Sequence, residues 1–180
     1  MKILLAPHND DETLFAAFTI MRHKPRVIVC TDSAIQFKRG DGVTADQRRQ
    51  ETSDAMGVLK AKFSFAGIPD DELTEENLEA YFVKQKLTNP DHVFAPAVYE
   101  NGNPHHNIVG RVAEKLWPGR VTFYATYQKH DITLTGNVLV IPTQEEAALK
   151  NEALLKYPSQ WKLNRAHFDA VIGKGEYYVA

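Results

Sequence analysis

The residues best suited to chemistry follow the first apolar run of the chain, within Met1 to Thr19 (MKILLAPHNDDETLFAAFT). The imidazole of His8 is followed there by three consecutive acids, Asp10, Asp11 and Glu12. If the apolar run is a strand, these groups lie at its carboxyl end, where open α/β folds keep their active sites, and they can bind a divalent cation. The alternative is that the acids only complement the dipole of the following helix. His8 directly before them favours a metal site.

The same acids argue against a nucleotide-binding turn. A first strand-to-helix turn that binds a dinucleotide is rich in glycine and leaves the helix N-terminus open to phosphate. Here the acids from Asp10 to Glu12 would repel phosphate unless a cation intervened. An ordinary Rossmann-type nucleotide-binding domain is therefore the less favoured alternative.

A catalytic zinc-type site holds three protein ligands, so the cluster at His8 needs a partner from elsewhere in the chain. His105 and His106 are the favoured candidates because they lie in a predicted polar loop, Glu100 to Asn107 (ENGNPHHN), directly after a predicted strand. We expect that strand to deliver the segment to the same edge of the sheet as His8. The other histidines of the chain are His23, His92, His130 and His167.

The elements that must position these residues alternate between strand and helix patterns. Lys2 to Ala6 and Val27 to Thr31 are apolar runs typical of buried strands, and Glu12 to Arg22 between them has apolar residues at helical spacing. This unit predicts a right-handed parallel crossover. Further strands are predicted at 61–66, 91–97, 121–126 and 132–141, and further helices at 44–60, 74–86, 108–117 and 143–156. The alternation predicts an α/β fold, a Rossmann-like three-layer α/β/α sandwich with a mostly parallel sheet, as one domain over residues 1–180.

Composition limits the partners and the compartment. The 180 residues include 21 Lys and Arg against 23 Asp and Glu, a formal net charge of −2, which gives no electrostatic footprint for nucleic acid or an anionic membrane. No apolar run approaches the roughly 18 residues that span a bilayer, and no signal-type segment begins the chain. The single cysteine, Cys30, lies in an apolar strand and is predicted to be a packed thiol rather than a nucleophile. We therefore expect a cytoplasmic protein without a membrane span or nucleic-acid partner.

Several motifs together resemble those of the PIG-L/LmbE-like family of metal-dependent deacetylases. They are Pro7-His8-x-Asp10-Asp11-Glu12, Arg48-x-x-Glu51, Asn103-Pro104-His105-His106, Ile68-Pro69-Asp70 and Tyr157-Pro158-Ser159-Gln160. The first motif is specific, the others are supportive, and together they extend over essentially the whole chain. The resemblance implies removal of an acetyl group from an N-acetylglucosamine-type unit. This family supplies that chemistry to GPI-anchor precursors, to mycothiol and bacillithiol biosynthesis and to some antibiotic pathways.

The resemblance also implies a role for the residues of the first motif. His8, Asp11 and His106 would bind the metal, usually zinc, although Fe²⁺, Co²⁺ and Mn²⁺ also accept two histidines and an aspartate. Asp10 would be the general base that activates the attacking water, and it can accept that proton only if it stays off the metal. The substrate would be a small N-acetylated amino sugar or a conjugate of one. A neighbour in a homo-oligomer could complete the pocket.

The chain departs from the family pattern opposite this cluster. Many relatives carry His-Pro-Asp-His, and the resemblance gives the first His the tasks of stabilising the oxyanion and protonating the leaving amine. Here Asn103 takes that position and His105 replaces the Asp. Asn103 can donate a hydrogen bond but cannot act as a general acid. Three alternatives stay open: His105 delivers the proton, Asp10 returns the one it took, or the chain is a metal-containing sugar-binding protein with weak or no catalysis.

Arg48 has two interpretations. On a helix, Arg48 and Glu51 stand three residues apart and would form a surface ion pair that contributes well under about 1 kcal/mol. The resemblance instead implies that Arg48 binds the sugar hydroxyls or a substrate anion while Glu51 holds it in place. Glu12 is predicted only to support the start of its helix, with no chemistry assigned.

Overall fold

The computed structural model describes residues 1–33, 42–127, 134 and 136–179, and its centre is a seven-stranded sheet. The strands are β1 (Lys2–Ala6), β2 (Arg26–Thr31), β3 (Lys62–Ile68), β4 (His92–Pro96), β5 (Val121–Tyr124), β6 (Val138–Val140) and β7 (Glu176–Val179). Their order across the sheet is β3-β2-β1-β4-β5-β7-β6. The strands β1 to β5 are parallel, whereas β7 is antiparallel to both of its neighbours.

Seven α-helices in the described part of the chain cover the two faces of this sheet. They are α1 (Asp11–His23), α2 (Ala45–Val58), α3 (Glu75–Lys84), α4 (Pro104–Leu116), α5 (Gln144–Leu154), α6 (Pro158–Leu163) and α7 (Arg165–Val171), with a short 3₁₀ helix at Asp70–Glu72. None of the described helices combines the length and apolar character that a membrane span requires. Helices α1, α2, α5 and α7 contribute to the apolar core on one face, and α3 and α4 to the core on the other. The predicted α/β/α sandwich with a mostly parallel sheet is confirmed.

Strand β1 occupies the middle of the sheet and is buried on both faces. Leu4 and Ala6 pack into one core. Ile3 and Leu5 pack into the other, which also contains Cys30, so the predicted burial of the thiol is confirmed. A strand covered by helices on both faces has a continuous apolar sequence rather than an alternating one. Because the strand order reverses between β1 and β4, the crevice at their carboxyl ends is the expected ligand site of such a fold.

The C-terminal part of the chain differs from the sequence-based prediction. The strand predicted at 132–141 is limited to Val138–Val140 among the described residues, and residues 128–133 and 135 lie outside them. The sequence pattern does not indicate α6, α7 or β7. These elements span six, seven and four residues, which is too short for a hydrophobic period to be recognised.

Helix α1 is kinked at Ala16, whose φ of −141° and ψ of 20° are not helical, and a buried ion pair occupies the kink. Lys150 Nζ of α5 donates to the carbonyl oxygen of Leu14 at 2.8 Å. The carboxylate of Glu176 in β7 accepts from the backbone N–H of Phe18 at 3.1 Å. In a regular helix that N–H would donate to the Leu14 carbonyl. The two charged groups, 2.9 Å apart, therefore replace one backbone hydrogen bond of the helix.

The variant Lys150→Met is expected to lower the free energy of unfolding by about 3–5 kcal/mol. The substitution leaves the Glu176 carboxylate buried without its cation and the Leu14 carbonyl without a donor. Urea denaturation followed by circular dichroism measures the loss. The double variant Lys150→Met, Glu176→Gln is the control, since removing both charges is expected to recover part of it. A loss below about 1 kcal/mol in the single variant would show that the pair does not hold the kink.

Candidate metal centre

The carboxyl ends of β1 and β4 meet at one edge of the sheet and bring the predicted ligands together. Strand β1 leads into His8, and helix α1 begins at Asp11. Helix α4 begins at Pro104, so His106 lies in its first turn. The prediction of a polar loop for the histidine pair is therefore wrong, because Asn103 caps the helix and proline fits its first position.

His8, Asp11 and His106 form a cluster in which one potential ligand atom of each lies within 4.8 Å of the others. His8 Nδ1 lies 2.9 Å and His106 Nε2 lies 3.1 Å from the same oxygen, Asp11 Oδ2. His106 is fully buried, and neither of its ring nitrogens makes a hydrogen bond of acceptable geometry within the described residues. A buried polar atom left without a partner is costly. Two imidazoles and a carboxylate that face one point fit zinc and similar divalent ions.

The charges of the cluster favour an ionised carboxylate at Asp11, which a metal requires, and a protonated imidazole at His8, whose proton a bound cation would displace. Burial works to raise the pKa of Asp11, but the imidazoles of His106 and His8 outweigh it and hold that pKa well below its ordinary value. The Asp11 carboxylate is therefore ionised at neutral pH. Burial also works to lower the pKa of His8, and the nearby Asp11 reverses the direction and raises it. A bound cation would take over the stabilising role that these imidazoles have toward Asp11.

Asp10 lies beside the cluster and carries an unusual backbone conformation. Its φ of 146° is rare for a residue other than glycine, and its carbonyl accepts from the N–H groups of Thr13 and Leu14 at 2.9 and 2.8 Å. Arg48 Nη2 donates to Asp10 Oδ2 at 2.9 Å. Burial raises the pKa of Asp10 to about 6, although Arg48 opposes the rise. A carboxylate with this pKa is suited to accept a proton near neutral pH.

A cavity of about 50 Å³ opens beside Asp10, with room for a few water molecules. The other residues that line it are Leu14, Tyr127, Asn164, His167 and Phe168. The ring centroid of Tyr127 lies 5.5 Å from that of His106 and 4.5 Å from that of His167. No spacing in the sequence assigns His167 to this place, because it comes from the short helix α7. His130, another histidine of the chain, lies outside the described residues.

Arg48 is buried behind Asp10, with 2% of its surface exposed. Its guanidinium donates to the Asn9 carbonyl, to Asp10 Oδ2 and, at 3.2 Å, to Glu51 Oε2. Glu51 in turn accepts from the backbone N–H and the hydroxyl of Ser159 at 3.0 and 2.6 Å. The interpretation of Arg48 and Glu51 as a surface ion pair is therefore wrong. The guanidinium holds the Asp10 carboxylate in place and is not open to solvent.

The two residues that depart from the family pattern both make hydrogen bonds within the site. Asn103 Oδ1 accepts from the backbone N–H of His105 at 2.9 Å and so caps helix α4. His105 Nδ1 lies 2.8 Å from His8 Nε2. Burial lowers the pKa of His105, and the nearby His8 lowers it further. His105 is therefore a neutral imidazole near pH 7 whose Nδ1 faces a proposed metal ligand.

Two buried residues of the first motif make contacts that the sequence does not indicate. The backbone N–H of Asn9 donates to Ser33 Oγ at 2.8 Å, which ties the end of β1 to the segment after β2. Glu12 accepts from the Tyr157 hydroxyl, and burial raises the pKa of Glu12 to about 7. Glu12 therefore does more than support the start of its helix. It connects the strand end to the C-terminal third of the chain.

Gly110 allows helix α4 to lie directly against the end of β4. It follows His106 by about one helical turn and lies on the same face of the helix. A Cβ atom added to Gly110 would lie 2.5 Å from the carbonyl oxygen of Pro96 and 2.7 Å from Val98 Cγ2. A side chain at this position would push α4, and His106 with it, away from the sheet.

Gly110→Ala is therefore expected to lower the free energy of unfolding by about 1–3 kcal/mol and to weaken zinc binding. Thermal unfolding and a zinc titration measure the two effects. Gly57→Ala in α2 is the matched control, because an added Cβ meets nothing within 4 Å there, and we expect a neutral or slightly stabilising effect. Equal stability of the two variants would contradict the close approach of α4 and β4.

Several solved structures share this fold. A conserved protein from Thermus thermophilus is 20% identical, with 99% of this chain and 93% of that chain covered and a TM-score of 0.71. GalB, the 4-carboxy-2-hydroxymuconate hydratase from Pseudomonas putida KT2440, is 16% identical, with 99% and 95% covered and a TM-score of 0.74. A triple mutant of a deacetylase in the teicoplanin biosynthetic pathway is 16% identical, with 98% and 95% covered and a TM-score of 0.72. Among curated proteins, none matches the chain. At these identities the structural likeness shows the fold.

The family comparison goes further, because it rests on the sequence of the site itself. The PIG-L family model, described as GlcNAc-PI de-N-acetylase, matches residues 3–117, which is more than half of the chain. This range contains His8, Asp11 and His106 and the elements from β1 to α4 that position them. The chain therefore belongs to the PIG-L (GlcNAc-PI de-N-acetylase) family.

Proposed function

We propose that this chain is a zinc-dependent deacetylase that hydrolyses the acetamide of an N-acetylglucosamine-type amino sugar or of a conjugate of one. The observation that carries the proposal is the buried cluster of His8, Asp11 and His106, with Asp10 beside it. The family description and the teicoplanin-pathway deacetylase of the same fold support the reaction class. Other divalent ions accept the same ligands, so the identity of the metal is part of the proposal.

Each residue of the site has a task in this reaction. His8, Asp11 and His106 would hold the metal, which when bound polarises an amide carbonyl and lowers the pKa of a water molecule. Asp10 accepts the proton of the attacking water, because its carboxylate lies outside the ligand cluster and opens on the adjacent cavity. Arg48 keeps that carboxylate in position through its hydrogen bond to Asp10 Oδ2.

The contacts favour Asp10 as the group that returns the proton to the leaving amine. Asn103 has no acidic proton, and its side-chain oxygen is engaged with the N–H of His105. His105 faces His8 through Nδ1, which suits it to orient that imidazole. Asp10 is the group among these three that can both accept and donate a proton at the cavity.

Arg48→Lys is expected to lower kcat by about 10–100-fold with little change in KM, because one ammonium cannot contact Asn9, Asp10 and Glu51 together. Steady-state kinetics and metal analysis measure the effect, and the zinc content should stay the same. Arg49→Lys is the matched control, since Arg49 pairs with a largely exposed carboxylate and does not touch Asp10. A rise in KM with unchanged kcat would instead support the substrate-binding role that the resemblance implies for Arg48.

Acetate release tests the proposed function. The purified protein is incubated with N-acetylglucosamine and its conjugates before and after removal of metal by a chelator. We expect release that chelation abolishes and added Zn²⁺ restores. Binding of the sugar in calorimetry without any acetate would favour the alternative, a metal-containing sugar-binding protein. The assay is needed because folds host different reactions, and GalB, which shares this one, is a hydratase.

A further inference from the structure

His8 presents its two ring nitrogens to two different groups of side chains. Nδ1 faces Asp11 Oδ2 at 2.9 Å, within the cluster that includes His106. Nε2 faces His105 Nδ1 at 2.8 Å. Asp70, in the 3₁₀ helix that follows β3, places a carboxylate oxygen within 4.8 Å of ligand atoms of both His8 and His105. The edge of the sheet therefore carries two groups of potential ligands, and His8 belongs to both.

The second group has the chemistry of a cation site. Two imidazoles and a carboxylate bind zinc and similar divalent ions, and water can complete the coordination because His8 and His105 are only partly buried. Metal–nitrogen bonds of about 2.0–2.1 Å at a tetrahedral angle place two nitrogens about 3.3 Å apart. The contact between His8 Nε2 and His105 Nδ1 would have to lengthen by about 0.5 Å, which a small rotation of one ring supplies.

The local charges favour a cation at this place. Asp70 is 4% exposed, and its negative charge acts on both His8 and His105. The three elements that supply these residues end or begin at the same edge of the sheet, which gives the group a rigid frame.

We propose that His8, Asp70 and His105 form a second cation subsite for zinc or a similar divalent ion, which shares the His8 imidazole with the site at Asp11 and His106. With Nδ1 on the first ion, the His8 imidazole would give up its remaining ring proton to solvent as the second ion binds, and the resulting imidazolate would bridge the two ions through its two nitrogens. Two cations at this separation repel each other, so the ions bind in sequence and the second is held more weakly. The subsite does not depend on the deacetylase reaction proposed above.

Zinc stoichiometry tests the subsite. The full chain is stripped of metal, titrated with Zn²⁺ in a calorimeter, and its bound zinc is counted by mass spectrometry. We expect two equivalents for the wild type, with the second bound at least about ten-fold more weakly. His105→Ala and Asp70→Asn are expected to bind one equivalent with the tight step unchanged. His23→Gln, which changes an exposed histidine outside both groups, is the control and is expected to bind two.

One equivalent in the wild type, or a second equivalent that persists in a folded His105→Ala or a folded Asp70→Asn variant, would overturn the subsite. Circular dichroism identifies a variant that does not fold, and the two substitutions lie on different elements, so either folded variant decides. The zinc stoichiometry is measured without substrate, so the result does not depend on deacetylase activity. A chain that binds two ions but releases no acetate would contradict the proposed function alone, and a deacetylase that binds one ion would contradict the subsite alone.

Discussion

Asp10→Asn is expected to lower kcat for acetate release by about 10²–10⁴-fold while the zinc content stays the same. Asparagine keeps the size of the side chain and an oxygen that can accept from Arg48 Nη2, but it cannot take a proton from water. Asp10 lies outside the cluster of His8, Asp11 and His106, so the metal should remain bound. Steady-state kinetics and metal analysis of the same preparation measure both quantities.

The matched control for this variant is Asp46→Asn in helix α2, which changes an almost fully exposed carboxylate and should leave kcat unchanged. If Asp10→Asn lost its zinc together with its activity, Asp10 would be a ligand rather than the base. If the variant kept wild-type turnover, another group would have to accept the proton.

His106→Gln is expected to release the metal and to reduce acetate release below detection. In the proposed site, His106 is the ligand that comes from the second half, on helix α4. Its Nε2 lies 3.1 Å from Asp11 Oδ2 without the geometry of a hydrogen bond, so the substitution removes one close contact but no hydrogen bond from the metal-free protein. The free energy of unfolding of the metal-free chain is therefore expected to change by no more than about 2 kcal/mol. Metal analysis and urea denaturation distinguish loss of metal from loss of fold.

His167→Gln is the control for this second prediction. His167 packs against the ring of Tyr127, as His106 does, but it lies outside the ligand cluster, so its variant should keep the zinc. Zinc bound with wild-type affinity by His106→Gln would remove His106 from the ligand set.

The fold class and the location of the first cluster can be predicted from the sequence, because both depend on patterns within short, continuous segments of the chain. The apolar run of β1 is continuous, and it delivers His8 and the three acids to its own carboxyl end. His106 is harder to place, since its orientation depends on a helix that begins earlier than its apolar spacing indicates. The cap at Asn103 and the close approach at Gly110 determine that start and that orientation.

The remaining features depend on contacts between distant parts of the chain. Arg48 lies on a mostly polar helix, which indicates a surface position, but the strand end at Asp10 and the segment at Ser159 cover it. The kink of α1 similarly depends on Lys150 and Glu176, which follow the kink by more than a hundred residues. Hydrophobic periodicity reports the environment of an element, not which distant polar group contacts it.

Anomalous diffraction at the zinc edge from crystals of the zinc-loaded protein would locate the metal relative to His8, Asp11 and His106. We expect an anomalous peak about 2.0–2.2 Å from His8 Nδ1, from the Asp11 carboxylate and from His106 Nε2, with Asp10 outside the coordination sphere. A zinc-loaded crystal with no peak at this position, or with a peak whose ligands exclude His106, would contradict the assignment of His8, Asp11 and His106 as the metal ligands.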